Sequence, residues 1–325
     1  MQLTTPVHIE PLPFKIGYQQ PTLVIGSCFA ANIGERLERF KFPVLVNPFG
    51  VVYNPVSVAN SVEFLLGTKG LNESDVFYNN DLWSSFYHHS SFSSSSKEEL
   101  LRRIKQELKN GSTFLQNATR VIITLGTARV YEYKQTKQVV SSCHKLPSAE
   151  FTHRLLSVDE VYHSLASMLD SLRALNPQLK ALFTVSPIRH VKDGVHGNQL
   201  SKATLLLAVD RLCSESDNAA YFPAYELMMD ELRDYRYYAE DMLHPSVVAV
   251  SYIWDKFCAT AFDGEALELM PELKKILDAK AHRPFNPDGD KYKVFKATFL
   301  NKTKSLKKRY PFLNLAEEIC FFDEI

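Results

Sequence analysis

No stretch of the 325 residues approaches 18 consecutive apolar positions, so no membrane-crossing helix is expected. An excess of one charge is also missing. The 37 Lys and Arg balance the 37 Asp and Glu, which argues against a chain that holds nucleic acid or a membrane surface through bulk charge. Cysteine is sparse and unpaired in spacing: Cys28, Cys143, Cys213, Cys258 and Cys320 include no C-x-x-C. That pattern indicates neither a zinc site nor a disulfide framework, and it fits a reducing compartment. The N-terminal MQLTTPVHIEPLPF lacks the basic segment and apolar run of a signal peptide, so a cytoplasmic location is the expectation. No internal repeat is evident. Against these absences stand 45% apolar and 23% charged residues, ordinary values for a globular chain with a large core.

The informative stretch is Pro21 to Ala30, PTLVIGSCFA. Leu23, Val24 and Ile25 read as a short buried strand that Gly26 breaks. Ile33, Leu37 and Phe40 then fall at helical spacing over 31–40. A small polar residue, Ser27, thus sits in the turn between strand and helix, at the carboxyl edge of a sheet, where open α/β folds place their ligands. The same serine also suits a plain helix cap.

Further along, residues 42–46 read as a second strand, and Asn54-Pro55 as the start of a helix. Ser96 with Glu99, and Ser157 with Glu160, form capping boxes ahead of helices. Residues 120–125 (RVIITL) are the most strand-like run. Residues 128–133 and 138–142 read as a hairpin that puts Arg129 and Tyr131 near the cleft. A strand over 181–185 ends in Ser186-Pro187-Ile188-Arg189-His190, whose side chains face the same edge. Arg189 is the best single cation there for an anionic or carbohydrate substrate. Residues 193–198 read as a loop, 199–215 as a helix, 219–222 as a last short strand and 225–233 as a helix. In Asp241-Met242-Leu243-His244 the aspartate can curl back to accept the imidazole Nδ1–H, leaving Nε2 free to take a proton from a hydroxyl. Alternating strands and helices predict a mainly parallel sheet with helices on both faces. After 262 the chain turns helical, and 291–309 is basic with interleaved aromatics.

Gly26-Ser27-Cys28-Phe29-Ala30 is letter for letter the signature that names the GSCFA family, and the chain resembles that family over about residues 20 to 262. The family is similar to the SGNH (GDSL-like) hydrolases. The resemblance implies a flavodoxin-like three-layer α/β/α domain over 1–262, with a helical, basic C-terminal extension over 263–325. It implies a Ser27–His244–Asp241 triad. It also implies an oxyanion hole from the backbone N–H groups of Ser27 and Gly50 with Thr127, which stands where most SGNH enzymes have asparagine. A hydroxyl there is less pre-organised than an amide. His190 matches no triad histidine, whereas His89 is a candidate for the substrate rim.

The activity so implied is that of a serine esterase acting on a small acyl ester, for instance O-acetyl groups on a carbohydrate. It needs no metal or organic cofactor. Cys28 is the rival nucleophile in the same turn. Acyl transfer to a sugar acceptor and a non-catalytic carbohydrate- or polymer-binding module are the competing functions.

Overall fold

The computed structural model describes residues 5–324. Five parallel strands form the central sheet: β1 (Thr22–Gly26), β2 (Val44–Val46), β5 (Arg120–Leu125), β9 (Lys180–Val185) and β10 (Ala219–Tyr221). Their spatial order is β2-β1-β5-β9-β10. The chain first steps outward from β1 to β2, then returns past β1 to β5 and continues the other way. The switch point therefore lies between β1 and β5, where a crevice opens at the carboxyl ends of the strands. Register is set by runs such as Thr22 opposite Arg120 through Gly26 opposite Thr124.

The strands are apolar on both faces because both are covered. Leu23, Ile25, Val121, Ile123 and Phe183 pack with α2 (Pro55–Leu66), α4 (Val158–Leu175) and α5 (Gly194–Glu215). Val24, Ile122, Leu182 and Ala220 pack with α1 (Cys28–Arg39), α7 (Val247–Ala261) and α8 (Gly264–Ala281). This is the expected three-layer α/β/α arrangement with a mainly parallel sheet.

Two excursions leave the sheet. The hairpin β3 (Val76–Asn79) and β4 (Leu82–Ser85) turns on Asn80 and Asp81, both at positive φ. Two such residues in a row make the tight hairpin turn that matches strand twist. With α3 (Lys97–Asn117) it forms a small apolar cluster around Val76, Phe92 and Ile104. The second excursion is an antiparallel sheet of β6 (Arg129–Tyr133), β7 (Gln138–Val140) and β8 (Phe151–Leu155). The β6–β7 hairpin matches its expectation. Strand β8 lacked a signal, because FTHRL has only two apolar residues in five.

Some boundaries differ from the sequence reading. Helix α1 starts at Cys28, not at 31, with Ser27 as its N-cap. Helix α5 starts at Gly194 and takes in the stretch read as a loop. The expected helix over 225–233 is one α-turn, α6 (Ala224–Glu226), followed by a wider π-turn over Leu227–Glu231. Apolar spacing does not distinguish these two windings over so few residues.

The C-terminal helices α9 (Asp290–Arg309) and α10 (Ala316–Asp323) extend the cluster that covers one sheet face. Phe295 and Phe299 of the basic helix pack against it. Glu318, 1% exposed, is held between Lys41 (3.0 Å) and Lys280 (3.1 Å). Burying a carboxylate requires such partners, and this one fixes α10 to both the first half of the chain and α8. Among the described residues, no helix is long and apolar enough to cross a membrane.

Candidate active site

Gly26 ends β1 with φ +139°, and a Cβ there would lie 2.1 Å from the Thr124 carbonyl oxygen of β5. Glycine alone lets the chain turn so close to its neighbour. Its N–H donates to Asn47 Oδ1 (2.8 Å), and its carbonyl accepts from Val52 N–H (3.0 Å). The Gly126 and Thr127 N–H groups both donate to the Tyr53 carbonyl. The loop between β2 and α2 is thus laced across the ends of β1 and β5, which fixes the floor of the crevice.

That crevice holds a cavity of about 410 Å³ lined by Ser27, Cys28, Tyr53, Thr127, Arg129, Tyr131, Arg189, His190 and His244, among others. Residues just after β1, β5 and β9, from β6 and from the loop before α7 converge here from more than 200 positions of sequence. Ser27 is 1% exposed, and its Oγ accepts the Phe29 N–H at 3.3 Å. It is a helix cap and a cavity residue at once. Cys28 Sγ lies 3.4 Å from the Tyr53 hydroxyl.

The loop carrying His244 is closed by Ala239 N–H donating to the His244 carbonyl and Ser246 N–H donating to the Tyr237 carbonyl. Met242 takes a left-handed φ of 57° inside it. This turn brings Asp241 back onto the histidine. Asp241 Oδ1 accepts the His244 and Leu243 N–H groups, both at 2.9 Å, and Oδ2 lies 2.5 Å from His244 Nδ1. These bonds, the His244 N–H first, hold the Asp241 carboxyl down to about 2. An ionised carboxylate only accepts, so the imidazole proton sits on Nδ1 and Nε2 is left as the basic nitrogen. Both side chains are about half exposed, at 47% for Asp241 and 50% for His244. No hydrogen bond joins His244 to Ser27 among the described residues. Their link is the shared cavity wall, and unliganded sites often hold such pairs apart.

The expected oxyanion donors fare differently. Thr127 lines the cavity, and its Oγ1 lies 2.9 Å from Ser201 Oγ while accepting the Arg129 N–H at 3.0 Å. Either hydroxyl can donate in the Thr127–Ser201 bond, and the Thr127 O–H is free to face the cavity when Ser201 is the donor. The Ser27 N–H is spent on the Thr124 carbonyl (3.1 Å). Gly50 lies outside the cavity. Its N–H is spent on the Asn47 carbonyl (2.7 Å), and a Cβ on it would meet His89 Cβ at 2.3 Å. These two assignments are corrected on that ground. The first N–H of α1, that of Cys28, has no intrahelical acceptor and belongs to the residue that faces the cavity. His89 is also corrected. It caps a short 3-10 turn over Ser90–Phe92 beside Gly50 and does not reach the cavity.

Arg189, Arg129 and Tyr131 line the cavity as expected. His190 was expected at this edge with Arg189, whereas its neighbours Asp193 and Lys202 were not foreseen. His190 lines it too, its Nε2 buried without a partner, and burial pushes the ring down to about 4, so it is neutral near pH 7. Asp193 pairs with Arg129 (3.6 Å) and His153 (3.6 Å) instead of capping α5. Lys202, 1% exposed, donates to the Gly126 and Ser186 carbonyls, each at 2.7 Å, and so ties the ends of β5 and β9 together behind the cavity. The sequence reading placed it only in the helix over 199–215, with no signal of that role. Among the described residues, no cluster of His, Cys, Asp or Glu could hold a metal ion.

A family model described as "GSCFA family" matches residues 21–257. The chain belongs to the GSCFA family. A second model, "GSCFA domain protein, C-terminal domain", matches residues 273–324, the region of α8 to α10. No curated protein matches the chain. Within this GSCFA protein, the signature residues Gly26 to Ala30 are those that turn from β1 into α1 at the cavity floor.

Proposed function

We propose that this GSCFA protein is a serine esterase of the SGNH type, working through an acyl-enzyme on Ser27. The observation that carries the reading is the meeting of Ser27 with His244 in one cavity, the imidazole already clamped by Asp241. Ser27 Oγ attacks the ester carbonyl as His244 Nε2 takes its proton. The imidazolium then protonates the departing alcohol. Water, activated by the same nitrogen, releases the acid. Asp241 keeps the reactive tautomer and stabilises the imidazolium. The developing oxyanion is met by the Thr127 hydroxyl and the Cys28 N–H at the positive end of α1. Each donor is worth roughly 10²- to 10³-fold in rate. A sugar hydroxyl in place of water would make the same enzyme an acyltransferase.

The test is hydrolysis of aryl acetate and butyrate esters by the wild type, Ser27→Ala and Cys28→Ala. The expected result is background turnover for Ser27→Ala and retained turnover for Cys28→Ala. Activity lost in Cys28→Ala and kept in Ser27→Ala would move the nucleophile to the thiol. Equal silence of all three would leave the binding-module reading.

A further inference from the structure

Two arginines in the cavity wall are short of partners. Arg189 makes one side-chain hydrogen bond among the described residues, from Nη2 to the Met229 thioether sulfur at 3.0 Å, and its buried Nε has none. A thioether is a weak acceptor. Among the described residues, no carboxylate lies within ion-pair distance of it. Arg129 has no side-chain hydrogen bond at all among the described residues. Its buried Nε has no hydrogen bond, and its nearest carboxylate oxygen, Asp193 Oδ2, stands at a loose 3.6 Å. Each guanidinium carries five N–H donors in a planar fork, and half-buried guanidinium groups seldom leave them idle.

The rest of the described wall adds more positive than negative charge. Lys192 adds a third cation, its Nζ donating to the Tyr131 hydroxyl at 3.0 Å. Among the described residues, Asp193 is the one carboxylate in the lining, and it is shared between Arg129 and His153. The chain as a whole is neutral, so this local excess is not a by-product of composition.

We propose that the ester substrate is anionic, carrying a carboxylate or phosphate group that Arg189 and Arg129 hold while Ser27 meets the ester. Planar bidentate recognition of such groups is what arginine does best. The inference rests on the esterase reading of the same cavity and narrows it: neutral acetylated sugars are poor substrates, and acetylated acidic or phosphorylated ones are good.

Two measurements separate failure of the substrate class from failure of the enzyme reading. Calorimetric binding to Ser27→Ala compares glucuronate, glucose 6-phosphate and glucose, independently of turnover. Acetate release by the wild type compares the O-acetylated forms of the same three compounds. At least one anionic sugar is expected to bind about 10- to 100-fold more tightly than glucose, the range for hydrogen bonds to charged groups. Which of the two binds tells carboxylate from phosphate. Arg189→Gln and Arg129→Gln, each made in the Ser27→Ala background, should lose most of that preference, and Arg189→Lys should keep part of it. Equal binding of all three sugars, or a preference untouched in both glutamine variants, overturns the proposal even where the wild type is an active esterase. Selective binding without acetate release keeps the anion site and removes the esterase reading.

Discussion

Replacing Lys202 with Met removes a buried amine and keeps most of its stem. In the wild type the amine reaches two carbonyls at 2.7 Å, those of Gly126 and Ser186, and no carboxylate pairs with it among the described residues. Burial alone pushes it down to about 7 from an ordinary value of 10.5. Between those two values the unfolded chain binds a proton that the folded chain does not. Wild-type stability therefore rises with pH across that window, by up to about 1.4 kcal/mol per unit. Lys202→Met has no such group, and His190, which Lys202 also helps to hold down, at about 4, stays neutral across this window in both proteins. The wild type should accordingly gain roughly 2–3 kcal/mol over the variant between pH 7.5 and 9.5. Superimposed on this is a pH-independent loss of about 1–3 kcal/mol for each carbonyl left without a donor. Urea unfolding of both proteins at pH 7.5, 8.5 and 9.5 measures the difference directly. A gap that stays constant with pH would mean that the two carbonyls hold a protonated ammonium and that burial does not control this site.

Two other outcomes are expected. Asp241→Asn should lower kcat by roughly 10³- to 10⁴-fold, the scale seen when a triad carboxylate loses its charge. With Asp241 held at about 2, the acid limb of the wild-type kcat/KM profile above pH 4 should have a slope of one, from the imidazole alone, and a slope of two would contradict the assignment. Gly26→Ala places a Cβ 2.1 Å from the Thr124 oxygen at φ +139°. It should lower Tm by on the order of 5 °C or more, and an unchanged Tm by calorimetry would show that the turn at the cavity floor is not tight.

The sequence alone determined the strands of the sheet, because each is a short apolar run covered on both faces, and the starts of α2, α3 and α4, because Asn54, Ser96 and Ser157 cap locally. It also determined the pair that gives the chain its proposed chemistry. Ser27 sits in a strand-to-helix turn, and Asp241 and His244 are three residues apart, so their contact needs no distant partner. The tertiary structure decided what lies between distant segments. Ser27 N–H could be counted as a free donor until β5 placed the Thr124 carbonyl against it. Gly50 could stand beside the serine until the loop after β2 turned its N–H onto Asn47. His89 faced Gly50 and not the cavity once residues 90–92 wound into a turn. Conversely, Arg129, Arg189, His190 and Lys202 come from three separate segments; the sequence put the first three at the cleft edge, but nothing local showed which of their polar atoms lack acceptors or that Lys202 lies behind them. Their state depends on burial and on which acceptors are near, quantities set by packing across the ends of β5 and β9. Hydrophobic period and capping are properties of a few adjacent residues and are written in the chain. Solvation and unpaired donors are properties of a cavity, and a cavity exists only after folding.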